Sequence, residues 1–295
     1  MRFGAGRAVA LAMVWAAAGC GNGIEVPEGL VVERSGPSPA APYGGPLKAS
    51  TPSWVGEDSP LEGGGASVRA LECAGKPHLA GSRAQGYSDD DSADSAKEAL
   101  AVSVTRTFGT SLPGRDYRVE RRTEDRVLFS YDVGGRTRVA VIVAKDRPHR
   151  EGWVLETFAQ CDPAEFRARD RERLDVRVWE DRRGRPVPTT KVSSSLGPEH
   201  CDWQSVEFLH LDAEGDPRGL GRQYFRDPER KLADLDRLTS AYAKDVPLPR
   251  DAVDTGYRHD GRQLWLSRDE RNAYVRTADG EVERWPGTTE SVACK

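Results

Sequence analysis

The sequence predicts an α+β fold, with one helix laid on a four-stranded antiparallel meander and a mostly β domain after it. Two patterns carry the prediction. One amphipathic helical period is followed by four strand-like runs, and the last third of the chain alternates short apolar runs with two-residue turn signals. The helix comes first. Ser95-Ala96-Lys97-Glu98 fits a capping box and Gly109 fits a helix C-terminus. Between them Ala96, Leu100, Val104 and Phe108 recur every four residues, with Ala99 beside them, giving one apolar face. The strand runs are Tyr117 to Arg122, Arg126 to Val133, Thr137 to Lys145 and Trp153 to Cys161. Val127, Phe129, Tyr131 and Val133 alternate with mostly polar neighbours, and Gly134-Gly135 is a hairpin signal. Helix and meander each hide an apolar face on the other, which makes residues 67–172 one folded region.

Residues 173–295 read as nearly all β. Asp175 to Glu180 and Trp203 to Leu211 are strand runs. Thr255 to Arg258, Gln263 to Ser267, Ala273 to Thr277 and Glu281 to Trp285 form a four-strand meander, with Asp260-Gly261 and Asp279-Gly280 as turns. Residues 228–242 are ambiguous. Asp227-Pro228-Glu229 either caps a helix with Leu232, Leu235, Leu238 and Tyr242 inward, or forms a type I turn between two short strands, a hairpin that Tyr224-Phe225 running into it favours.

The N-terminus carries an address. Arg2 and Arg7 precede an apolar run, Ala8 to Ala18, that is too short to cross ~30 Å of hydrocarbon at ~1.5 Å per residue. Charge, length and position are those of a secretory signal peptide, 1–19. Ala17-Ala18-Gly19-Cys20 resembles the bacterial lipobox, with Ala17 standing where a larger aliphatic residue is usual. The resemblance implies diacylglyceryl modification of Cys20 and anchoring on the extracytoplasmic face of the cell membrane. The alternative is cleavage within Ala16-Ala17-Ala18 and release of a soluble protein. Residues 20–66, rich in Gly, Pro, Ser and Ala, read as a disordered tether. With 43 Lys+Arg against 47 Asp+Glu, net −4, there is no basic field for nucleic acid. Losing Arg2 and Arg7 makes the mature chain more negative still.

With Cys20 assigned to lipid, Cys73, Cys161, Cys201 and Cys294 remain for disulfides in an oxidising compartment. Two lie in each folded region, so the expected pairs are Cys73–Cys161 and Cys201–Cys294. His78 near Cys73, and His200-Cys201-Asp202, offer ligand types for a metal. Without a C-x-x-C pair, and with alternating strand faces, no metal site is assigned. No cofactor motif, G-x-S-x-G, H-E-x-x-H or phosphate-cradling loop is present, so no catalytic residue is identified. His149 and His259 read as loop residues and His210 as a strand residue. Asp89-Asp90-Asp91 with Asp94 lacks EF-hand spacing and reads as a solvated loop before the helix, calcium being the alternative. Arg167 to Arg173 and Arg182 to Arg185 are largely neutralised by Asp170, Glu172, Glu180 and Asp181. Trp179, Trp203, Trp265 and Trp285 serve either a core or a stacking face for sugars or peptide.

The lipobox together with His200-Cys201-Asp202-Trp203-Gln204-Ser205, Leu264-Trp265-Leu266 and Glu283-Arg284-Trp285-Pro286 resembles secreted lipoproteins of high-GC Gram-positive bacteria. The resemblance implies a location and a two-part body and carries over no site residue. The expectation is a membrane-anchored, non-enzymatic module binding an envelope protein or wall ligand. The rival is an extracytoplasmic hydrolase whose catalytic residues are dispersed in sequence.

Overall fold

A computed structural model describes residues 25–32, 39, 41–48, 64–82, 92–107, 111–145, 151–212, 221–290 and 292. β-structure dominates: strand covers 38% of the chain and helix 13%, in three antiparallel sheets of five, four and four strands. The α+β description therefore holds only in part.

The first sheet contains β1 (Leu79–Ser82), β2 (Tyr117–Arg122), β3 (Arg126–Val133), β4 (Arg136–Lys145) and β5 (Trp153–Gln160), in the order β1-β5-β4-β3-β2. The expected meander is present, and β1 adds a strand the sequence did not announce. Gly134 and Gly135, with φ of 60° and 73°, make the tight turn between β3 and β4 that a side chain would strain. Both faces of the sheet are buried, which is why apolar residues fill consecutive positions in β3 (Val127–Phe129) and β4 (Val139–Ala144). Val127, Phe129, Tyr131, Val139 and Val141 face α2 (Ala96–Val102), whereas Leu128, Ala140 and Ile142 face α1 (Gly65–Ala70). The Ser95–Glu98 capping box forms in both directions. After Val102 the helix loosens into a π turn, Ser103–Thr107, where Ser103 Oγ donates to the Ala99 carbonyl and Thr105 Oγ1 to that of Ala101. Gly109 lies outside the described residues.

The tether expectation needs correction within 20–66. Leu30 is fully buried in the first core, and Tyr117 N–H and Val32 N–H exchange hydrogen bonds with the Leu30 and Tyr117 carbonyls. Leu47 and Ala66 are buried on the other face, with Tyr43 packed beside them. Both faces of the sheet need covering, and these scattered apolar residues supply part of the cover. Gly/Pro-rich composition does not reveal such isolated anchors.

The Cys73–Cys161 disulfide joins the chain before β1 to the end of β5, with Cα atoms 5.3 Å apart. Cys201 is also disulfide-bonded. Cys294, its expected partner, lies outside the described residues. Next to Cys161, Asp162 accepts from Thr189 N–H and Oγ1, both at 2.9 Å, clamping the second half of the chain to the first.

That second half holds two sheets. One is β6 (Val176–Val178), β7 (Val192–Leu196), β8 (Glu207–Leu211) and β9 (Arg222–Arg226). The other is β10 (Val253–His259), β11 (Arg262–Leu266), β12 (Asn272–Arg276) and β13 (Val282–Pro286), each in sequential order. The expected meander is β10–β13. Asp260 and Gly261 both have positive φ, the paired left-handed geometry of a type I′ turn. The sheets share a core of Trp179, Val192, Leu209, Leu211 and Tyr224 against Leu264, Leu266, Val275 and Trp285. They also meet at both edges. Glu180 bridges Arg258 on one side, and Tyr224 bridges Gly287 on the other. The result is a flattened eight-stranded barrel, with its second seam completed by residues 238–246 along β13. Residues 228–242 are neither helix nor hairpin. They form successive turns nucleated by Asp227, whose carboxylate accepts from Lys231 and Leu232 N–H, both at 2.8 Å.

Leu30→Ala tests whether the segment near residue 30 belongs to the fold. Equilibrium urea denaturation of the variant should show a loss of about 2–4 kcal/mol, as for a fully buried leucine. A tether residue would leave the unfolding curve unmoved.

Candidate functional site

Strand periodicity brings charge to one end of the barrel interior. Alternate positions on a strand share a face, so Glu207 lies in line with Leu209 and Leu211, and Arg226 with Tyr224. In the other sheet Arg262 lies in line with Leu264 and Leu266, and Glu283 with Trp285. Cross-strand register sets Arg226 directly opposite Glu207 and Arg177 opposite Ser194. The apolar stripes of both sheets thus end in a charged layer: Arg177, Glu207 and Arg226 from one, Arg262 and Glu283 from the other.

The layer is internally bonded. Arg262 spans the two sheets and grips Glu207 with both terminal nitrogens, at 2.9 and 3.1 Å, while Arg177 Nη1 approaches the same carboxylate at 2.8 Å. Ser194 Oγ donates to Glu207 at 3.0 Å and accepts from Trp179 Nε1 at 3.2 Å. Glu283 accepts from Arg226 Nε, Tyr242 O–H and Trp285 Nε1. Below this network the Arg262 guanidinium sits 5.7 Å from the Trp179 ring and 6.0 Å from that of Trp285. Burial pushes the Glu207 carboxyl up, but the Arg262 and Arg177 charges and the Ser194 hydrogen bond outweigh it and hold the group below its usual range.

Above the layer is a groove with two connected chambers. The inner one, next to the layer and the more open of the two, is about 450 Å³ and is floored by Arg177, Arg226, Arg262, Glu207 and Glu283, with Ser205 in its wall. The outer one, about 950 Å³, lies between residues 168–180, the β7 end at Ser195–Glu199 and the turn at His259–Asp260. Arg177, Leu196 and Asp260 border both. Each volume is in the range of small-ligand sites. The outer rim is acidic: Glu172, Asp175, Glu180 and Glu199 form no ion pair among the described residues. Its two arginines are engaged, Arg177 with Glu207 and Arg171 with the Ala164 carbonyl. His259 packs against Trp179 with ring centroids 5.6 Å apart and planes tilted by 35°, and burial holds its imidazole below the usual value. The neutral ring donates from Nδ1 to the Val178 carbonyl at 3.2 Å. Exposed Asp260, 3.2 Å from Nε2, gains a partner only when the ring is protonated.

The residues singled out from sequence mostly fall elsewhere. Cys20, His149, Cys294 and Asp89 to Asp91 lie outside the described residues. His200 is exposed and His210 stacks on Phe208. His78 faces Asp162 at 3.9 Å. Among the described residues one group, Cys73, Cys161 and Glu165, gathers ligand-type atoms within 4.8 Å, and its two sulfurs are joined in the disulfide. The arginine clusters are paired only in part and mostly with other acids than expected: Arg167 and Arg169 with Asp116, Arg182 with Asp254 and Arg185 with Asp181, while Glu172 and Glu180 pair with none of them among the described residues. Trp179 and Trp285 are core residues, closed to a stacking ligand. Of the histidines, His259 alone is shown lining the groove, at the end of β10 rather than in a loop. The charged layer was not anticipated. Its signal was a charged residue in line with each inward apolar stripe.

Structure and site together define a mostly β protein with a polar groove at one end of a flattened barrel. No family model, curated protein or solved structure matches the chain.

Glu207→Gln leaves Arg177 and Arg262 without their shared counter-charge. The variant should lose about 3 kcal/mol at pH 7 in urea denaturation. Because the folded carboxyl titrates below 4.5, its contribution is complete above that value and fades as the pH falls through the folded value. The gap between wild type and variant should narrow in acid. Parallel stability curves from pH 7 down to 3 contradict the assignment.

Proposed function

We propose that the chain is a membrane-anchored extracytoplasmic lipoprotein whose folded part is a non-enzymatic binding module, with the groove at the barrel mouth as its site. The anchor rests on the sequence of the first twenty residues; no helix among the described residues is long and apolar enough to cross a membrane. The binding role rests on one observation. The groove's inner carboxylates are saturated by partners, while four carboxylates on its outer rim have no ion pair among the described residues. A saturated interior gives shape and field without a mobile nucleophile or proton carrier. An unpaired acidic rim attracts a cationic segment, such as an amine-bearing peptide of an envelope protein or of the wall.

A hydrolase remains the second reading, because neutral His259 and Ser195 line the same chamber. Among the described residues no hydroxyl is hydrogen-bonded to His259, which sets the binding reading ahead of it.

Two measurements check the proposal. In cell fractionation, Cys20→Ala should move the protein from membrane to soluble fractions; continued membrane association contradicts the anchor. In calorimetry at low salt, the leaderless protein should bind a short oligolysine. Glu180→Gln/Glu199→Gln should weaken that binding about tenfold, from two exposed ion pairs at ~0.7 kcal/mol each. Asp234→Asn/Asp236→Asn, exposed and away from the groove, is the control. Equal weakening by both pairs would mean that only overall charge is being read. Hydrolysis of an ester or peptide probe that His259→Ala abolishes would favour the enzyme instead.

A further inference from the structure

We propose that the inner chamber is an oxyanion subsite, taking a carboxylate or phosphate on the same ligand whose cationic part lies at the acidic rim. This rests on the reading of the groove as a ligand site and adds the class of ligand: dipolar, with the anionic end over the charged layer.

Three observations carry it. The first is a surplus of arginine. Arg177, Arg226 and Arg262 face two carboxylates held in the layer, Glu207 and Glu283, and the third carboxylate on the chamber, Asp260, is 85% exposed, so one guanidinium lacks a counter-charge within the floor itself. The second is where the unused donors lie. Arg226 reaches Glu283 through Nε alone, at 3.0 and 3.1 Å, which leaves both terminal nitrogens without a partner among the described residues. Arg177 meets Glu207 through one terminal nitrogen, leaving its others equally unused. A guanidinium is a rigid fork of five donors, and the unused prongs are those that bind carboxylate or phosphate. The third is Ser205. Its Oγ is buried in the chamber wall and has no hydrogen-bond partner among the described residues. A buried hydroxyl is costly without a partner, and an oxyanion would be the missing acceptor.

The two glutamates do not bar an anion. Glu207 is engaged by two guanidiniums and the Ser194 hydroxyl, Glu283 by one guanidinium, the Tyr242 hydroxyl and the Trp285 N–H. Their negative charge is turned inward onto these donors. Asp260 at the shared border is 85% exposed, so solvent screens its charge. The adjoining rim, with Glu180 and Glu199, then receives the ligand's amine, a chamber away from its oxyanion.

The test is calorimetric titration of the leaderless protein, at low ionic strength, with inorganic phosphate and with acetate in separate arms. One arm or both should give saturable binding at one site per chain, and the tighter arm identifies the oxyanion. Arg226→Gln should weaken it at least tenfold and Ser205→Ala severalfold. Arg237→Gln, an exposed arginine paired with Glu290 away from the groove, should leave it unchanged. Arg226→Gln also strips Glu283 of its cation and can cost folding. Ser205→Ala removes only an unpartnered hydroxyl, so it keeps the test valid if the arginine variant unfolds. Absence of saturable binding in both arms overturns the subsite, as does binding that Ser205→Ala leaves unchanged. Oligolysine binding without anion binding sinks the subsite and leaves the acidic rim standing. Anion binding without oligolysine binding supports the subsite and removes the dipolar ligand.

Discussion

The two-point grip of Arg262 on Glu207 is the interaction on which the second half of the chain turns. The barrel interior beneath it is dry and aromatic, with Trp179 and Trp285 fully buried. Such an interior must end somewhere, and an open apolar end would be an exposed patch. Arg262 resolves this because a guanidinium is two-faced. Its plane lies over both indoles, while its edge meets a carboxylate across the gap between sheets. Glu207 can then stay charged although it is almost fully buried, since Arg177 and Ser194 complete its bonding. Dry core, sheet-to-sheet link and the floor of the groove thus rest on one pair.

The first half of the chain contributes a wall rather than a floor. Its sheet is buried on both faces and is held from outside by α1, α2 and the short segments around Leu30 and Leu47. From its last strand the chain passes through Cys161 and Asp162 into 168–175, which borders the outer chamber. The disulfide fixes that exit to the start of the sheet, and the Asp162–Thr189 clamp fixes it to the barrel. Disulfide and clamp therefore set how far the acidic Glu172 and Asp175 stand from Glu199.

Local signals explain what was legible from sequence. The β2–β5 and β10–β13 meanders were readable because alternation and paired turn residues are decided within a few positions, as at Gly134-Gly135 and Asp260-Gly261. β7 was not, because its core contains Ser193, Ser194 and Ser195. Those serines suit the position for reasons visible only in three dimensions, Ser194 linking Trp179 to Glu207. β1 is four residues with a glycine inside, below what any periodicity can mark. Leu30 and Leu47 read as isolated apolar residues in a Gly/Pro-rich stretch because nothing local says that the sheet has a second face to cover. The site was the least legible part. Arg177, Glu207, Arg226, Arg262 and Glu283 are scattered over more than a hundred residues, and only register and closure gather them. A charged residue in line with an apolar stripe looks, in sequence, like a strand leaving the core.

The central claim is that Arg262 and Glu207 act as one buried unit. A double-mutant cycle with Arg262→Met, Glu207→Met and the double variant, read by urea denaturation at pH 7, tests it most directly. Coupling of about 3 kcal/mol is expected, with the double variant more stable than either single one, since each single change strands a buried charge that the double change removes. If the two substitutions simply add, the pair is a surface contact and the groove has a different foundation.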